Sequence, residues 1–227
     1  MAGTVGGTHH LDDQRQRSAW LLVGLLWAGY LALEVLGASG WGHTLAKGLL
    51  MPTLLLWVLV ALRGAAPRLL VAGLVLATVG DVGLEFDATF LVGMAGFLGM
   101  QVCYVLGFLG MGAWANVRRQ PWIAVGYLVF WVVANLVLGP RLGDLQGPIA
   151  LYSLALCVMA SVAAGVDRRI AMGGLLFLIS DMLIGLDLAD LGFPGRGLVV
   201  MATYLGAQYL IVTGWARRVD ARVVVPG

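Results

Sequence analysis

The chain has 227 residues, 60% of them hydrophobic and only 11% charged, with a mean hydropathy of +0.92, which excludes a soluble domain and marks an integral membrane protein. A net charge of +2, with 13 arginines beside the single lysine Lys47, is no footprint for nucleic acid. Cys103 and Cys157 lie in apolar runs and offer no disulfide framework, while His9 and His10 lie in a polar tail and His43 in a loop, so no metal centre is expected.

In chain order, residues 1–17 carry Asp12, Asp13, Arg15 and Arg17 without a secretory-signal pattern and read as a disordered tail. Eight apolar runs follow, over 18–37, 45–62, 69–84, 88–115, 121–138, 147–166, 170–186 and 197–216, each bounded by Gly, Pro or charge. They are continuously apolar, whereas barrel strands alternate. Eight spans of roughly 20 residues would take up ~160 positions, leaving short loops, the two tails (1–17 and 217–227) and no soluble catalytic domain. The expected fold is an all-α integral membrane protein with eight transmembrane helices in one membrane domain, 18–216.

Eleven of the fourteen basic residues fall on one side: Arg15, Arg17, Arg63, Arg68, Arg118, Arg119, Arg168, Arg169, Arg217, Arg218 and Arg222. Lys47, Arg141 and Arg196 fall on the other. The positive-inside rule then puts both termini in the cytoplasm of a multi-pass protein of the cell (inner or plasma) membrane. At an offset of 100 residues, Arg68, Gly73, Leu76, Asp81, Asp87, Tyr104 and Arg118 match Arg168, Gly173, Leu176, Asp181, Asp187, Tyr204 and Arg218. The match suggests two parallel four-helix repeats; chance alignment of apolar sequence is the competing reading.

Counted from the arginines at 1.5 Å per residue, Asp81 and Asp181 both lie ~20 Å into the membrane. Tyr104 and Tyr204 fall at ~21 Å, and Glu34, Lys47, Glu85, Gln101, Asn135 and Tyr152 at ~24–26 Å. A carboxylate at such depth costs ~2.5–3.5 kcal/mol on the insertion scale, so it faces the interior, is paired, or is protonated. Two aspartates at one depth are the prime catalytic candidates, with interhelical hydrogen bonding as the structural alternative.

Glu85, one turn beyond Asp81, reads as a third acid or a solvated helix end. Lys47 opens the second run and either holds a phosphate as a point charge or pairs with Glu34. Pro52 removes a helix hydrogen bond and frees the Gly48 carbonyl. Tyr104 with Gln101, and Tyr204 with Gln208, form polar faces that hold a head group, hold the acids, or join helices. Ser180 points about 100° away from Asp181 and lacks a histidine base, which argues against a hydroxyl nucleophile. Trp20, Trp27, Trp41, Trp114, Trp122 and Trp215 read as interfacial anchors, and Gly93, Gly96 and Gly99 as close helix packing.

From about Lys47 to Ile211 these residues resemble the lysoplasmalogenase (YhhN-like) family of eight-helix membrane proteins. The likeness rests on Lys47-Gly48-Leu49-Leu50-Met51-Pro52, Gly80-Asp81-Val82-Gly83-Leu84, Phe90-Leu91-Val92-Gly93 with Phe97, Tyr104, Ser180-Asp181, Tyr204 and Gln208-Tyr209-Leu210-Ile211. It departs at Gly48, where a proline often follows the lysine, and at Gln101, where a histidine is common.

The resemblance implies hydrolysis of the vinyl ether of a lysoplasmalogen to a fatty aldehyde and glycerophosphoethanolamine or glycerophosphocholine. Vinyl ethers resist bases and nucleophiles but hydrolyse once the β-carbon is protonated, giving an oxocarbenium ion that water captures. That chemistry needs one protonated carboxyl and one carboxylate, the two-acid logic of glycosidases. A low-dielectric interior favours the neutral acid, and neighbouring acids favour sharing one proton. Asp81 and Asp181 fit these roles. Lys47, Glu85, Tyr104, Gln101, Tyr204, Gln208, Asn135 and Glu34 are the expected substrate-binding residues, the partners a lysophospholipid and the bilayer, with no cofactor and no metal. The alternative is a proton-coupled or lipid-handling transporter using the same acids.

Overall fold

The computed structural model describes the backbone of residues 5–224 and the side chains of 16–219. Among the described residues it is all helical, with α1 (Val5–Val35), α2 (Trp41–Leu62), α3 (Arg68–Gly83), α4 (Phe90–Gly110), α5 (Ala113–Arg119), α6 (Pro121–Leu138), α7 (Gln146–Ala164), α8 (Arg168–Leu188) and α9 (Arg196–Val224). Helix α1 begins upstream of the first apolar run, and α9 continues past the last one; residues 1–4 of the expected tail lie outside the described chain.

Among the described residues, seven helical segments are long and apolar enough to cross a membrane. The exception among the eight expected spans is α3, whose 16 residues reach only ~24 Å against a hydrocarbon core of ~30 Å. The fourth run also divides. Gly112 adopts φ 87°, a conformation open to glycine, and it separates α4 from the short α5. The aliphatic side chains that line the outside are those expected to meet lipid: Leu25 and Leu136 are each 72% exposed.

The α3 and α4 backbones approach each other through glycine. A Cβ on Gly83 would sit 2.6 Å from Gly93 Cα, and one on Gly96 would sit 2.8 Å from Gly80 N. Side chains larger than hydrogen cannot occupy this seam, which is how small residues join membrane helices. Helix α8 packs comparably on α9, where a Cβ on Gly173 would lie 3.0 Å from the Ala207 carbonyl. The neighbour order α2, α3, α4 recurs as α7, α8, α9.

At the arginine-rich end, Asp167 caps α8. Its Oδ1 accepts the backbone N–H groups of Arg169 and Ile170 at 2.9 and 3.0 Å, and its Oδ2 accepts Arg218 Nε at 3.0 Å. Satisfying two free N–H groups fixes where α8 starts, and therefore the height of Asp181. Trp215 is not an interfacial anchor: it is 3% exposed, filling the space that Gly107 leaves open beside Tyr104 and Phe108. Trp20 likewise packs on Trp57, ring centroids 4.3 Å apart. Trp41, Trp114 and Trp122 stay exposed, as belt residues do.

Candidate functional site

Asp81 on α3 is buried, and its Oδ2 accepts the Tyr204 hydroxyl of α9 at 2.9 Å. Tyr204 is held edge-on by Phe97 and Phe177, at centroid distances of 5.7 and 5.5 Å. Asp181 on α8 accepts the hydroxyl of Tyr152, from α7, in a short hydrogen bond. Of the charged groups around Asp81, Lys47 bears on it most, then Glu85, and Asp181 least. Each aspartate therefore has a phenol donor from a different helix, and the pair draws on α3, α7, α8 and α9.

Tyr104 occupies the position that matches Tyr204, but it does not reach Asp181. Its hydroxyl donates to Gln208 Oε1 at 2.8 Å, and Gln208 Nε2 donates to Met100 Sδ at 3.3 Å. Gln101 is fully buried on the same helix as Tyr104, and neither of its amide atoms has a hydrogen-bond partner. Ser180 donates to the Val200 carbonyl at 3.0 Å, which ties α8 to α9 and turns the hydroxyl away from the acids.

A cleft opens between α4, α6, α7 and α8, with about 830 Å³ of empty space including its mouth. Its walls are apolar, among them Met94, Phe97, Trp131, Leu156 and Leu178. Among the described residues that line it, Asp181 is the one charged side chain, joined by Tyr152, Asn135 and Ser153. Asn135 donates to the Trp131 carbonyl at 2.9 Å and to Ser153 Oγ at 3.4 Å. An apolar slot with a few convergent polar groups is the usual form of a small-molecule site.

The remaining predicted residues form a second cluster outside the lining of the cleft. Lys47 Nζ meets Glu85 Oε1 at 2.5 Å. His43 bridges Glu34 Oε1 at 3.0 Å and Glu85 Oε2 at 3.5 Å, and the Tyr30 hydroxyl donates to Glu34 Oε1 at 2.6 Å. Lys47 thus pairs with Glu85 and not with Glu34. Glu85 lies beyond the end of α3, at Gly83, and so is not on the helix face that carries Asp81. His43, which reads as a loop residue without acidic partners, is inside α2 and touches two acids. The missed signal was local: four residues separate His43 from Lys47, so both fall on one face of α2.

Residues 42–215 match the YhhN family.

The chain belongs to the YhhN family.

The matched stretch contains Asp81, Asp181, both tyrosines and the whole cleft lining, and leaves out Glu34 and Tyr30. This YhhN protein is 34% identical over 161 residues to lysoplasmalogenase TMEM86B of Homo sapiens, covering 69% of the chain and 66% of that relative. It is 29% identical over 177 residues to lysoplasmalogenase TMEM86B of Rattus norvegicus, covering 75% and 72%, and 31% identical over 143 residues to that of Sus scrofa, covering 61% and 59%. The matches thus span about two thirds of the human relative's length. No solved structure matches the chain.

Proposed function

We propose that this YhhN protein is a membrane hydrolase that cleaves the vinyl ether of lysoplasmalogens, with Asp81 and Asp181 as its acid and base. The observation that carries the reading is Asp181, a lone carboxyl with a phenol donor, in the wall of an otherwise apolar cleft. The likeness to proteins named lysoplasmalogenase supplies the substrate class.

The lysolipid's single chain lies in the cleft and brings its vinyl ether against Asp181. One carboxyl of the pair gives its proton to the β-carbon, forming a C–H bond and leaving an oxocarbenium ion at the α-carbon. A carboxylate at short range stabilises that cation and takes a proton from the attacking water, as in glycoside hydrolysis. The hemiacetal then breaks its C–O bond, the glycerol oxygen takes up a proton, and fatty aldehyde leaves. Two acids that share one proton titrate as a pair. Tyr152 and Tyr204 hold the carboxyls in place by donating to them.

In this reading α3 crosses as an eighth span, short because its end turns into the Lys47 and Glu85 cluster. That count keeps the paired arginines on one side and both termini in the cytoplasm of the cell membrane. The repeated neighbour order supports two related halves whose acids have diverged in their partners.

The test is to incubate the purified protein in detergent with a lysoplasmalogen and, separately, with its saturated alkyl-ether counterpart, and to look for fatty aldehyde by mass spectrometry. Aldehyde from the vinyl ether alone is expected. No aldehyde from a folded sample would remove the hydrolase reading and turn attention to transport in sealed vesicles.

A further inference from the structure

Each of the other polar side chains that ring the two aspartates has a partner: Tyr204 donates to Asp81, Tyr152 to Asp181, Tyr104 to Gln208, Gln208 to Met100, and Ser180 to the Val200 carbonyl. Gln101 is the exception, with no exposure to solvent and neither amide atom in a hydrogen bond. A glutamine amide has two N–H donors and a carbonyl with two lone pairs, and leaving such a group unsatisfied in the interior costs about 1–3 kcal/mol. Buried groups of this kind are ordinarily satisfied by bound water.

The surroundings of Gln101 bear on what would satisfy it. Phe97, one turn away on the same face of α4, lines the cleft and packs edge-on against Tyr204. Tyr152, whose hydroxyl is engaged by Asp181, lies beside the Gln101 amide. Gln101 therefore sits one turn along α4 from the cleft wall at Phe97, beside the tyrosine that Asp181 engages. A small neutral molecule able both to donate and to accept hydrogen bonds would satisfy the amide, and a charged one would add to the burial cost.

From this we infer that Gln101 is the positioning residue for the water that attacks the oxocarbenium ion. The inference rests on the vinyl ether reading above. The Gln101 carbonyl accepts one O–H of the water, a carboxylate of the pair accepts the other, and an oxygen lone pair is left facing the α-carbon. The C–O bond forms as the second O–H gives its proton to the carboxylate, so one water is consumed per ether cleaved. Holding the nucleophile in place is worth orders of magnitude in capture rate.

Competition between nucleophiles tests this. With dilute methanol present, an oxocarbenium ion is trapped either by water, ending as aldehyde, or by methanol, ending as a stable methyl acetal of the lysolipid; mass spectrometry reads the ratio. The native protein is expected to give almost wholly aldehyde. Gln101→Met, which fills the same space without polar atoms, is expected to keep or raise the melting temperature, slow turnover, and raise the acetal fraction at least several-fold. Gln101→Asn, with its amide one carbon short, is expected to fall between.

A fall in rate at an unchanged acetal fraction would mean that Gln101 serves structure only and would overturn the inference. So would loss of both products in both folded variants, because protonation by the acids and capture by methanol do not require Gln101. If the native protein releases no aldehyde, the vinyl ether reading itself fails, an outcome distinct from either of these.

Discussion

The Tyr204 hydroxyl on α9 donates to Asp81 Oδ2 on α3 at 2.9 Å, whereas Tyr104, one hundred residues earlier, does not touch Asp181 and instead meets Gln208. The offset that aligns the two halves in sequence therefore aligns the positions of acids and phenols but not their bonds. Asp181 takes its donor from Tyr152, which has no counterpart at residue 52, a proline. The two carboxyls are made unequal: one is sealed beneath Phe97, Phe177 and Tyr204, and the other faces the cleft.

Removing one hydroxyl at a time should show this inequality. In Tyr204→Phe the buried Asp81 loses its donor, and a loss of roughly 1–3 kcal/mol in stability is expected, visible as a lower melting temperature in detergent. In Tyr152→Phe the cleft-facing Asp181 keeps access to the site, so the larger effect is expected on kcat, with a smaller shift in melting. Equal effects of both variants on both quantities would show that the two pairs are not differentiated.

Asp81→Asn and Asp181→Asn each remove a proton donor or acceptor while keeping shape and volume. General acid or base catalysis contributes about 10²–10⁴-fold, and a loss of at least that size in aldehyde release is expected from each, with a monodisperse profile on gel filtration. Full turnover in either folded variant would dismiss the two-aspartate mechanism.

The glycine seam gives a prediction independent of chemistry. A Cβ at Gly93 would lie 2.6 Å from Leu84 N and 2.8 Å from the Gly83 carbonyl carbon, and backbone cannot swing aside as a side chain can. Gly93→Ala should force α3 and α4 apart at a cost of about 1–3 kcal/mol, lowering the melting temperature and displacing Asp81 from Tyr204. Gly126 on α6 has nothing within 4 Å of such a Cβ, and Gly126→Ala should stabilise by roughly 0.5–1 kcal/mol through helix propensity. A Gly93→Ala protein as stable as the native one would mean that the seam tolerates side chains.

The apolar runs and the depth of the acids are legible in the sequence because both follow from a count of residues along a helix. Partners across helices are not: nothing in the run that holds Tyr152 points to Asp181, and which of Tyr104 and Tyr204 meets an acid depends on how the helices rotate about their axes. Trp215 reads as a belt residue from its place near the end of a run, and only the opposite Gly107 makes room for it inside. The short α3 is not legible either, since the run 69–84 carries only Thr78 and Asp81 as polar residues and continues to Leu84, while the helix stops at Gly83 and Glu85 beyond it meets Lys47.

That Lys47 and Glu85 contact, 2.5 Å long with side chains only 15% and 16% exposed, bears on the phosphate role that a lone lysine suggests. The pair is shielded from water, so removing one member strands the other charge, and a double-mutant cycle on Lys47→Ala and Glu85→Gln should give a coupling of about 1–3 kcal/mol in unfolding. The same four proteins separate structure from binding. If Lys47 also holds the lysolipid phosphate, KM should rise in Lys47→Ala and stay raised in the double variant, where no stranded carboxylate remains, while Glu85→Gln alone leaves Lys47 free to bind and does not raise it. A KM in the double variant equal to that of the native protein would confine Lys47 to its ion pair and place the phosphate elsewhere at the mouth of the cleft.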